Sequence, residues 1–567
     1  MQKHLVFLFI AVAALTVKKA NAQSDFMRPG DFGTYLIERN EVKQGRLDSV
    51  YFTDIQPFDR GVMGEYIHKT DSAQLWTSKV DRFNRQYLIR DNLPFSGDFT
   101  GDYETDKPVL KAFYHNKANF FTVEEGPLNL YVNPVIYVEA GQENGFDDGL
   151  TYVNTRGAEV RGNIDGKIGF YSVVTENQVV APHFVRTRRG FTNGFFPGEG
   201  FGKGFREGRG YDFFNVRGYF TFRPVKHVQV MFGKDRNQLG NGMRSLILDN
   251  NHENYTQLRV NTKIWKFHYQ NIFAEMIWPD PMRGNYTNLP YAKKYAAIHY
   301  LSADVLKNLR ISFFEASVFH DNNRSGRGFE FSYLNPVIFY RAVEHNLGDN
   351  DNMIIGGNVY YLPFKKLSLY GQFVFSEFKV GELRARSGWF GNQYGLQGGF
   401  KYVDAFGLSN VDIHGEYNMV RPYVYGHTNP GATFNHFGQP MAHTLGANFR
   451  EYIGKVKLQP FPRLNVNASI IYFEQGRDPD NGTNWGSDIR KNPSAPERDY
   501  GNFITQGEFT KAALTRLQIT YQAAHNLFVD FNMQNRVAGS TLESQRYDAL
   551  WVTGGVRWNI NRRNYQF

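Results

Sequence analysis

Hydrophobic and polar residues alternate one by one along several long segments of this chain. Between Leu550 and Asn561, one face would carry Leu550, Val552, Gly554, Val556, Trp558 and Ile560, and the other Thr553, Arg557, Asn559 and Asn561. The same pattern recurs at 367–376, 464–472, 513–522 and 527–534. Because successive side chains of a strand point to opposite faces, each segment is predicted to be a strand with one apolar and one polar face.

The number and length of these segments favour a membrane barrel over a soluble all-β protein. A soluble sandwich also alternates, but it turns its polar side outward and buries the other side in a core. Here about 18 segments of about ten residues continue to the last residue, as in outer-membrane barrels. We therefore predict an all-β membrane protein, a large antiparallel transmembrane β-barrel. At this width the wall side chains cannot fill the lumen, which should be watery or plugged by inward-folded loops.

The connections between these segments fall into two classes. Three short turns combine proline, an apolar residue and a basic residue: Pro224-Val225-Lys226, Pro363-Phe364-Lys365 and Pro460-Phe461-Pro462-Arg463. Long stretches rich in glycine, asparagine and charge lie between them, at 180–210, 381–392, 420–446 and 474–501. Short turns at one end and long loops at the other distinguish the periplasmic and outer ends of bacterial barrels.

The first 22 residues have the three parts of a secretory signal peptide. Lys3 precedes an apolar run at 5–17, and Ala20-Asn21-Ala22 stands before Gln23. That run is shorter than the roughly 20 residues that a membrane-spanning helix needs. We predict export and cleavage between Ala22 and Gln23.

The region 23–121 differs from the rest, and the barrel is predicted to occupy 122–567. Pro57 and Asp59 introduce a short helix that holds Val62, Met63 and Ile67. Asp71 is predicted to cap a second helix with one apolar face, formed by Trp76, Val80, Phe83 and Tyr87. This periplasmic region is either a small helical cap packed against the barrel, which we favour, or a module that contacts a partner.

Composition and charge narrow the protein class further. The chain has no cysteine, so neither disulfides nor thiolate metal sites carry the fold. Mean hydropathy is −0.48, and the low value fits strands in which polar residues alternate with apolar ones. No apolar run of transmembrane length follows the signal peptide, which excludes a helical membrane protein. The net charge of +9 falls to +6 without the three lysines of the signal peptide.

One loop carries candidate ligand-binding residues. Within 180–210, phenylalanines alternate with six basic residues: Arg186, Arg188, Arg189, Lys203, Arg206 and Arg209. Basic side chains bind carboxylates and phosphates, and aromatic rings offer flat surfaces to sugars. An acidic glycan or lipopolysaccharide is therefore one candidate ligand. The alternative is a loop that packs into the lumen, with its arginines paired to inward-facing acids.

Catalytic and metal-binding patterns are weak. The segment 250–257 contains His252, but Glu253 and Asn254 stand where a phospholipase-like serine would be needed. The segment 478–482 has its glycine one place too early for an EF-hand loop. We therefore expect no enzyme activity, no cofactor, no metal and no nucleic-acid partner.

Several short motifs resemble the Wzi-type capsule-assembly family of outer-membrane barrels. They lie at 55–61 with the helix that follows, at 232–248, and at 335–341 with Asn352 and Gly356 further on. The matching residues include Gly233, Arg236, Gly240, Gly242, Ser245, Leu248, Asn335 and Pro336. The overall length and the proline turns look more like the RemB-like, gliding-motility subset of Bacteroidetes type. The resemblance implies an 18-stranded barrel with an N-terminal helical element.

Three functional hypotheses follow. The first is a non-catalytic outer-membrane factor in surface-polysaccharide (capsule) assembly or attachment and/or gliding motility. The second is a porin-like or substrate-selective channel, and the third is a barrel-borne hydrolase. The expected partners are outer-membrane lipid and lipopolysaccharide, an acidic surface polysaccharide, and motility or secretion machinery.

Overall fold

The computed structural model describes residues 24–96, 109, 112–145, 149–187, 195–279, 291–320, 330–336, 351–479, 482–541 and 547–567. The predicted signal peptide and its cleavage site, Ala22 and Gln23, lie outside these residues and stay predictions. The same holds for Arg188 and Arg189.

Eighteen long strands in the described residues form a closed antiparallel barrel. They are β1 (Leu128–Glu143), β2 (Leu150–Ile164), β3 (Ile168–Val180), β4 (Gly210–Val225), β5 (Val228–Asp235), β6 (Tyr255–Ile264), β7 (Phe267–Trp278), β8 (Ala292–Leu306), β9 (Leu309–His320), β10 (Asn352–Phe364), β11 (Leu367–Glu377), β12 (Gln393–Tyr402), β13 (Val411–Val420), β14 (Phe449–Phe461), β15 (Leu464–Arg477), β16 (Glu508–Ala524), β17 (Leu527–Ser540) and β18 (Tyr547–Trp558). Each strand pairs with the next, and β18 pairs with β1 to close the ring. The predicted fold class and strand number are confirmed.

Shorter elements stand beside the wall. Small strands lie at Phe121–Glu125, Lys203–Phe205, Ile55–Gln56 (paired with Gln238–Leu239) and Asn435–His436 (paired with Gln439–Pro440). The helices are α1 (Phe32–Gln44), α2 (Met63–Ser72), α3 (Lys79–Asp91), α4 (His183–Arg186) and α5 (Val380–Arg384). Single 3-10 turns occur at Arg60–Val62, Leu93–Phe95, Phe331–Leu334, Ala405–Gly407 and Pro430–Ala432. In the part of the chain that is described, no helix has the length and apolar character needed to cross a membrane.

The predicted N-terminal helices are present, but one predicted cap is wrong. Asp59 accepts a hydrogen bond from Gly61 N and begins the helical stretch that continues into α2. Asp71 lies at the end of α2, whereas Ser78 caps α3 through a reciprocal capping box with Asp81. The apolar spacing identified the helical face, but the periodicity extends through Trp76, which precedes the helix. The true cap therefore comes seven residues later.

Alternation along the strands separates the lumen from the outer surface. On β17 the exposed outer side chains are Val529, Phe531 and Met533, and the buried inner ones are Asp530, Asn532 and Gln534. Exposed apolar side chains continue around the barrel, among them Phe220, Phe232, Phe313, Leu369, Leu396, Tyr452 and Ile470. Because water does not favour such a continuous apolar surface, it is the surface that lipid covers.

The two ends of the barrel differ as predicted. Each predicted proline turn joins neighbouring strands, and the pairing register shifts at Pro224, Pro363 and Pro460, just before the turn. Proline has no N–H for the ladder, so an irregular position at a strand end suits it. We call this the short-turn end. The connections 181–209, 378–392, 421–448 and 478–507 lie at the opposite, long-loop end.

The chain leaves the wall after Trp558 and turns into the lumen. Asn559, Ile560 and Asn561 were predicted to continue the last strand, but they belong to this inward tail. Ile560 packs against the interior apolar clusters. The aromatic side chains of Tyr565 and Phe567 are buried inside the barrel rather than facing lipid. The tail therefore contributes to the filling of the lumen.

Charge placed on the outer surface should destabilise the barrel according to depth. Met533 lies near the middle of β17, and we expect Met533→Arg to lower the free energy of unfolding by about 2–4 kcal/mol. Phe461→Arg is the control: Phe461 is also exposed but is the last residue of β14, at the short-turn end, where the cost should be about 0–1 kcal/mol. Urea unfolding in lipid vesicles measures both. Equal costs would contradict the membrane position inferred here.

Candidate functional site

The N-terminal segment closes the short-turn end of the barrel. Val42 O of this segment accepts a hydrogen bond from Lys366 N, in the turn after β10, at 2.7 Å. Leu47 N of the segment donates to Lys307 O, in the turn after β8, at 2.9 Å. The turn after β16 joins the same plug, because Asn526 Nδ2 donates to the Asp91 carboxylate at 2.8 Å. The helices thus pack against the barrel, as the favoured interpretation expects. Their periplasmic position stays a prediction.

A buried arginine of the wall binds this plug from inside. Arg310 Nε donates to Asp304 Oδ1 at 2.6 Å, and its Nη1 lies 3.3 Å from Asp54 Oδ1 and 3.8 Å from Glu41 Oε1. The other Asp54 oxygen accepts hydrogen bonds from the hydroxyl groups of Tyr300, Ser302 and Ser312. Both Arg310 and Asp54 are fully buried. A buried charge of this kind is tolerated only when it is paired, so the contact fixes the plug to β8 and β9.

A second charged cluster fixes α1 to the strands on the other side. Arg39 Nε lies 2.9 Å from Asp412 Oδ2, and its other nitrogens contact Asp404 and, at 3.4 Å, Asp81. Lys43 Nζ lies 2.8 Å from Asp81 Oδ2. The plug is therefore held by charged hydrogen bonds at two separate sectors of the wall.

The connection between β5 and β6, residues 236–254, folds into the lumen. Arg244 Nη2 lies 3.0 Å from Glu451 Oε1, and the backbone N–H groups of Met243 and Arg244 donate to Glu416. His443 Nε2 lies 2.7 Å from the same Glu451 carboxylate. This inward loop crosses the barrel interior and is attached to β13 and β14.

Most of the predicted family-motif residues meet in or beside the inward loop. Gly240 has a φ of +110°, and a Cβ there would collide with Gln372, so only glycine suits this position. A Cβ on Gly242 would approach Glu416 and Gln397. The remaining residues of this group are Gly233, Arg236, Ser245 and Leu248. These motif residues therefore allow the inward loop to pack closely inside the lumen.

Two other motif residues lie elsewhere. Asn335 and Pro336 belong to the connection between β9 and β10 and are exposed. Pro336 O accepts a hydrogen bond from Tyr269 OH at 2.6 Å. The resemblance motifs therefore do not form a single site.

The C-terminal tail completes the filling of the lumen. Arg244 Nη2 donates to Gln566 O at 2.6 Å, and Arg516 Nη2 donates to Tyr565 O at 2.7 Å. Arg562 Nη2 lies 3.0 Å from Glu139 Oε2 on β1. Plug, inward loop and tail thus touch one another inside the barrel.

A polar cavity of about 620 Å³ remains between these segments and the wall. Its lining residues come from the N-terminal segment, the inward loop, the tail, the inner face of the wall and two long-loop connections. Basic side chains outnumber acidic ones among them, eleven to four. Such an excess of positive charge in a partly enclosed space favours anions.

The predicted basic loop has two parts with different surroundings. Phe196 is fully buried and packs on Phe213 and Tyr565, so part of the loop fills the lumen as the alternative interpretation expects. Lys203 and Arg206 are exposed at the long-loop end and make no ion pair with another described residue. The predicted anion-binding role of these side chains stays a prediction.

Arg186 and Arg209 belong to the same loop. Arg186 ends α4, and its Nε donates to Ala181 O at 3.0 Å. Arg209 is half-buried beside the small hairpin that carries Arg206. We define the basic rim as the exposed pair Lys203 and Arg206 with the half-buried Arg209.

The two segments that resemble catalytic or calcium-binding motifs have ordinary structural contacts in the described residues. His252 is fully buried beside Tyr255 and His436, and Glu253 pairs with Lys234 at 3.1 Å. Asp478 accepts backbone hydrogen bonds from Trp485 and Asp488, as a loop turn does. No cluster of three metal-binding side chains occurs within the described ranges.

The plug contains a carboxyl group whose protonation should affect stability. Burial raises the pKa of Glu41 from its usual value to about 7, although Arg310 opposes the shift. A raised acid pKa gives stability that is complete below about pH 4.5 and is lost as pH rises through 7. We expect wild type to lose about 3 kcal/mol relative to Glu41→Gln across that window. Urea unfolding at each pH measures this, and parallel curves would contradict it.

Comparisons with known proteins show the fold. No sequence profile of a protein family matches the chain, and no curated protein matches it. The structure is similar to Wzi, an outer membrane protein involved in group 1 capsule assembly in Escherichia coli and a carbohydrate-binding β-barrel. The TM-score is 0.56, with 12% identity over 95% of this chain and 100% of that chain.

Two further similarities are with Pseudomonas aeruginosa barrels. OprD gives a TM-score of 0.41 with 11% identity, over 76% of this chain and 96% of that chain. OpdK with vanillate gives 0.42 with 9% identity, over 76% and 99%. The fold of this chain is that of an outer-membrane β-barrel with structural similarity to Wzi.

Proposed function

We propose that this protein is a non-catalytic outer-membrane factor that binds an acidic surface polysaccharide at its basic rim. It would act in capsule assembly or attachment and/or in gliding motility, as the Wzi-type and RemB-like resemblance implies. The proposal rests on one observation: chain segments cross the lumen and leave only a cavity of about 620 Å³, while Lys203 and Arg206 are exposed at the long-loop end. The remaining expected partners, lipopolysaccharide and motility or secretion machinery, belong to the same proposal.

The filled lumen favours this proposal over a channel. A passive pore needs a continuous water-filled path, whereas here Arg310 and Arg244 attach chain segments across the interior. The fold similarity to a barrel described as carbohydrate-binding also supports the proposal. Arginine and lysine beside exposed aromatic rings suit an acidic sugar, and Arg206 itself lies over the Tyr152 ring at 5.1 Å.

Charge reversal at the rim tests the binding role. We expect Lys203→Glu with Arg206→Glu to weaken binding of purified protein to an acidic polysaccharide on the order of ten-fold, a change of about 1.4 kcal/mol. The matched control is Lys226→Glu with Lys307→Glu, which changes the same charge on exposed residues of the short-turn end. Binding should weaken with salt in both proteins. Equal loss in the two variants would contradict a site at the rim.

A gene deletion tests the cellular role. Capsule retention and surface spreading should be scored in the deletion strain, in the strain with the wild-type gene restored, and in the strain with the rim variant. We expect the rim variant to reproduce the deletion phenotype at normal protein level. Normal capsule and normal spreading in the deletion strain would contradict the proposal.

A further inference from the structure

Two lysines of the barrel wall stand out within the lumenal cavity. Lys455 and Lys457, both on β14, line it and make no ion pair with any described residue. The other strand cations of the cavity have carboxylate partners, as Arg217 and Arg557 do. A lysine in a partly enclosed space without a direct ion pair is costly, so an anion from outside would be favoured there.

The pairing of β14, β15 and β16 sets polar groups beside these lysines. Lys457 lies opposite Asn467, which lies opposite Gln518. In the next row Lys455 lies opposite Ser469, which lies opposite Arg516. Directly opposed side chains are about 5 Å apart, so the two rows form a continuous patch. This patch, which we call the lumenal patch, contains three cations, two amides and a hydroxyl. On the other side of β14, Asp412 of β13 lies opposite Lys457, but its carboxylate is already bound by Arg39 Nε at 2.9 Å.

Several polar groups at the patch are available to a ligand. Asn465, beside Asn467 on the same inner face, is nine-tenths buried, and its side-chain oxygen has no hydrogen-bond partner among the described residues. Lys457 Nζ lies over the Tyr35 ring of the plug, and both residues line the cavity. Buried polar atoms are normally satisfied, so an unpartnered amide beside lysines indicates a place for a polar ligand.

The cavity is large enough and reachable. Its volume of about 620 Å³ falls within the range of about 300–1,000 Å³ that is usual for small-molecule sites. Asn251 of the inward loop lines it and is exposed, whereas the N-terminal segment closes the short-turn end.

We propose that the lumenal patch binds a carboxylate-bearing sugar, with Lys455 and Lys457 on the carboxylate and the neighbouring amides on the hydroxyl groups. Ammonium groups bind carboxylates by charge-assisted hydrogen bonds, and amides both donate to and accept from hydroxyl groups. This inference deepens the proposed function and rests on it for the class of ligand. It adds a second site, inside the barrel, for a short acidic fragment.

Calorimetry on the purified full-length protein in detergent tests the patch. The probes are trigalacturonate, inorganic phosphate and the neutral sugar maltotriose. We expect trigalacturonate to bind wild type, and to bind at least ten-fold more weakly to Lys455→Gln with Lys457→Gln. The control, Lys226→Gln with Lys307→Gln, removes the same charge from exposed residues of the short-turn end and should bind as wild type does. Lys455→Arg keeps the charge and should retain binding. Unchanged heat-modifiable migration on gels shows that each variant is folded.

The outcomes separate this inference from the proposed function. Absence of trigalacturonate binding, equal binding by the lumenal variant, or equal binding of maltotriose would overturn the patch. Phosphate binding as tight as that of trigalacturonate would show an anion site without a sugar and would also overturn it. Binding of long acidic polysaccharide, measured on the lumenal variant and on Lys203→Glu with Arg206→Glu, should weaken only in the rim variant. Unchanged polysaccharide binding by the rim variant would contradict the proposed function, whereas the trigalacturonate results decide the lumenal site.

Discussion

Replacing Arg310 with methionine is expected to lower the free energy of unfolding by about 3–5 kcal/mol, because buried carboxylates lose their partner. Asp54 and Glu41 on the plug and Asp304 on β8 all lie within 4 Å of this guanidinium group. Since two of these acids belong to the plug, the plug should also loosen. Urea unfolding measures the first effect, and planar-bilayer recording should show current that wild type lacks.

An exposed ion pair supplies the control for Arg310. Arg156 lies 2.9 Å from Glu176, but its side chain is 63% exposed. Arg156→Met should therefore change stability by no more than about 1 kcal/mol. If both substitutions had the same small effect, the attachment of the plug through Arg310 would be refuted.

The inward loop should depend in a similar way on Arg244. Its guanidinium group joins the loop to Glu451 at 3.0 Å and to the tail at Gln566 O, 2.6 Å away. Arg244→Met leaves the buried Glu451 with only His443 and the Asn418 amide as partners, so we expect a loss of about 3–5 kcal/mol. Release of the loop should also produce a stable conductance in planar bilayers.

A neighbouring arginine on the outer face is the control for the effects expected of Arg244→Met on stability and conductance. Arg450 precedes Glu451 on β14 but is exposed on the outer face. Arg450→Met should leave both stability and conductance close to wild type. A closed lumen in Arg244→Met would show that the loop is held by its other contacts and that the arginine is dispensable.

The strands and turns of the barrel wall could be predicted from the sequence because each depends only on residues that are close together in the chain. Val529 and Asp530 differ in environment only because neighbouring strand residues face opposite sides, and this is visible in any ten-residue window. The proline turns are also local, since Pro363 affects only the strand that it ends. Both features followed from the chain without any long-range information.

The interior could not be predicted in this way. Arg310 and Asp54 are 256 residues apart, and nothing near either one indicates the other. Lys455 and Lys457 look like ordinary polar positions of an alternating strand; only the register with β15 and β16 brings them beside Asn467 and Arg516. The basic loop was found by composition, but composition did not separate buried Phe196 from exposed Arg206.

The plug contacts parts of the chain that are far apart in sequence, and these contacts constrain the assembly of the barrel. Asp59 contacts Arg223 on β4, and Asp91 is bound by Asn526 beyond β16, contacts that span 164 and 435 residues. Ring closure and docking must then be completed together, and closing such long stretches of chain is slow. Until then, the apolar faces of the strands are exposed to water, and polypeptides with such exposed surfaces aggregate readily. The chain should therefore rely on a holding chaperone until insertion.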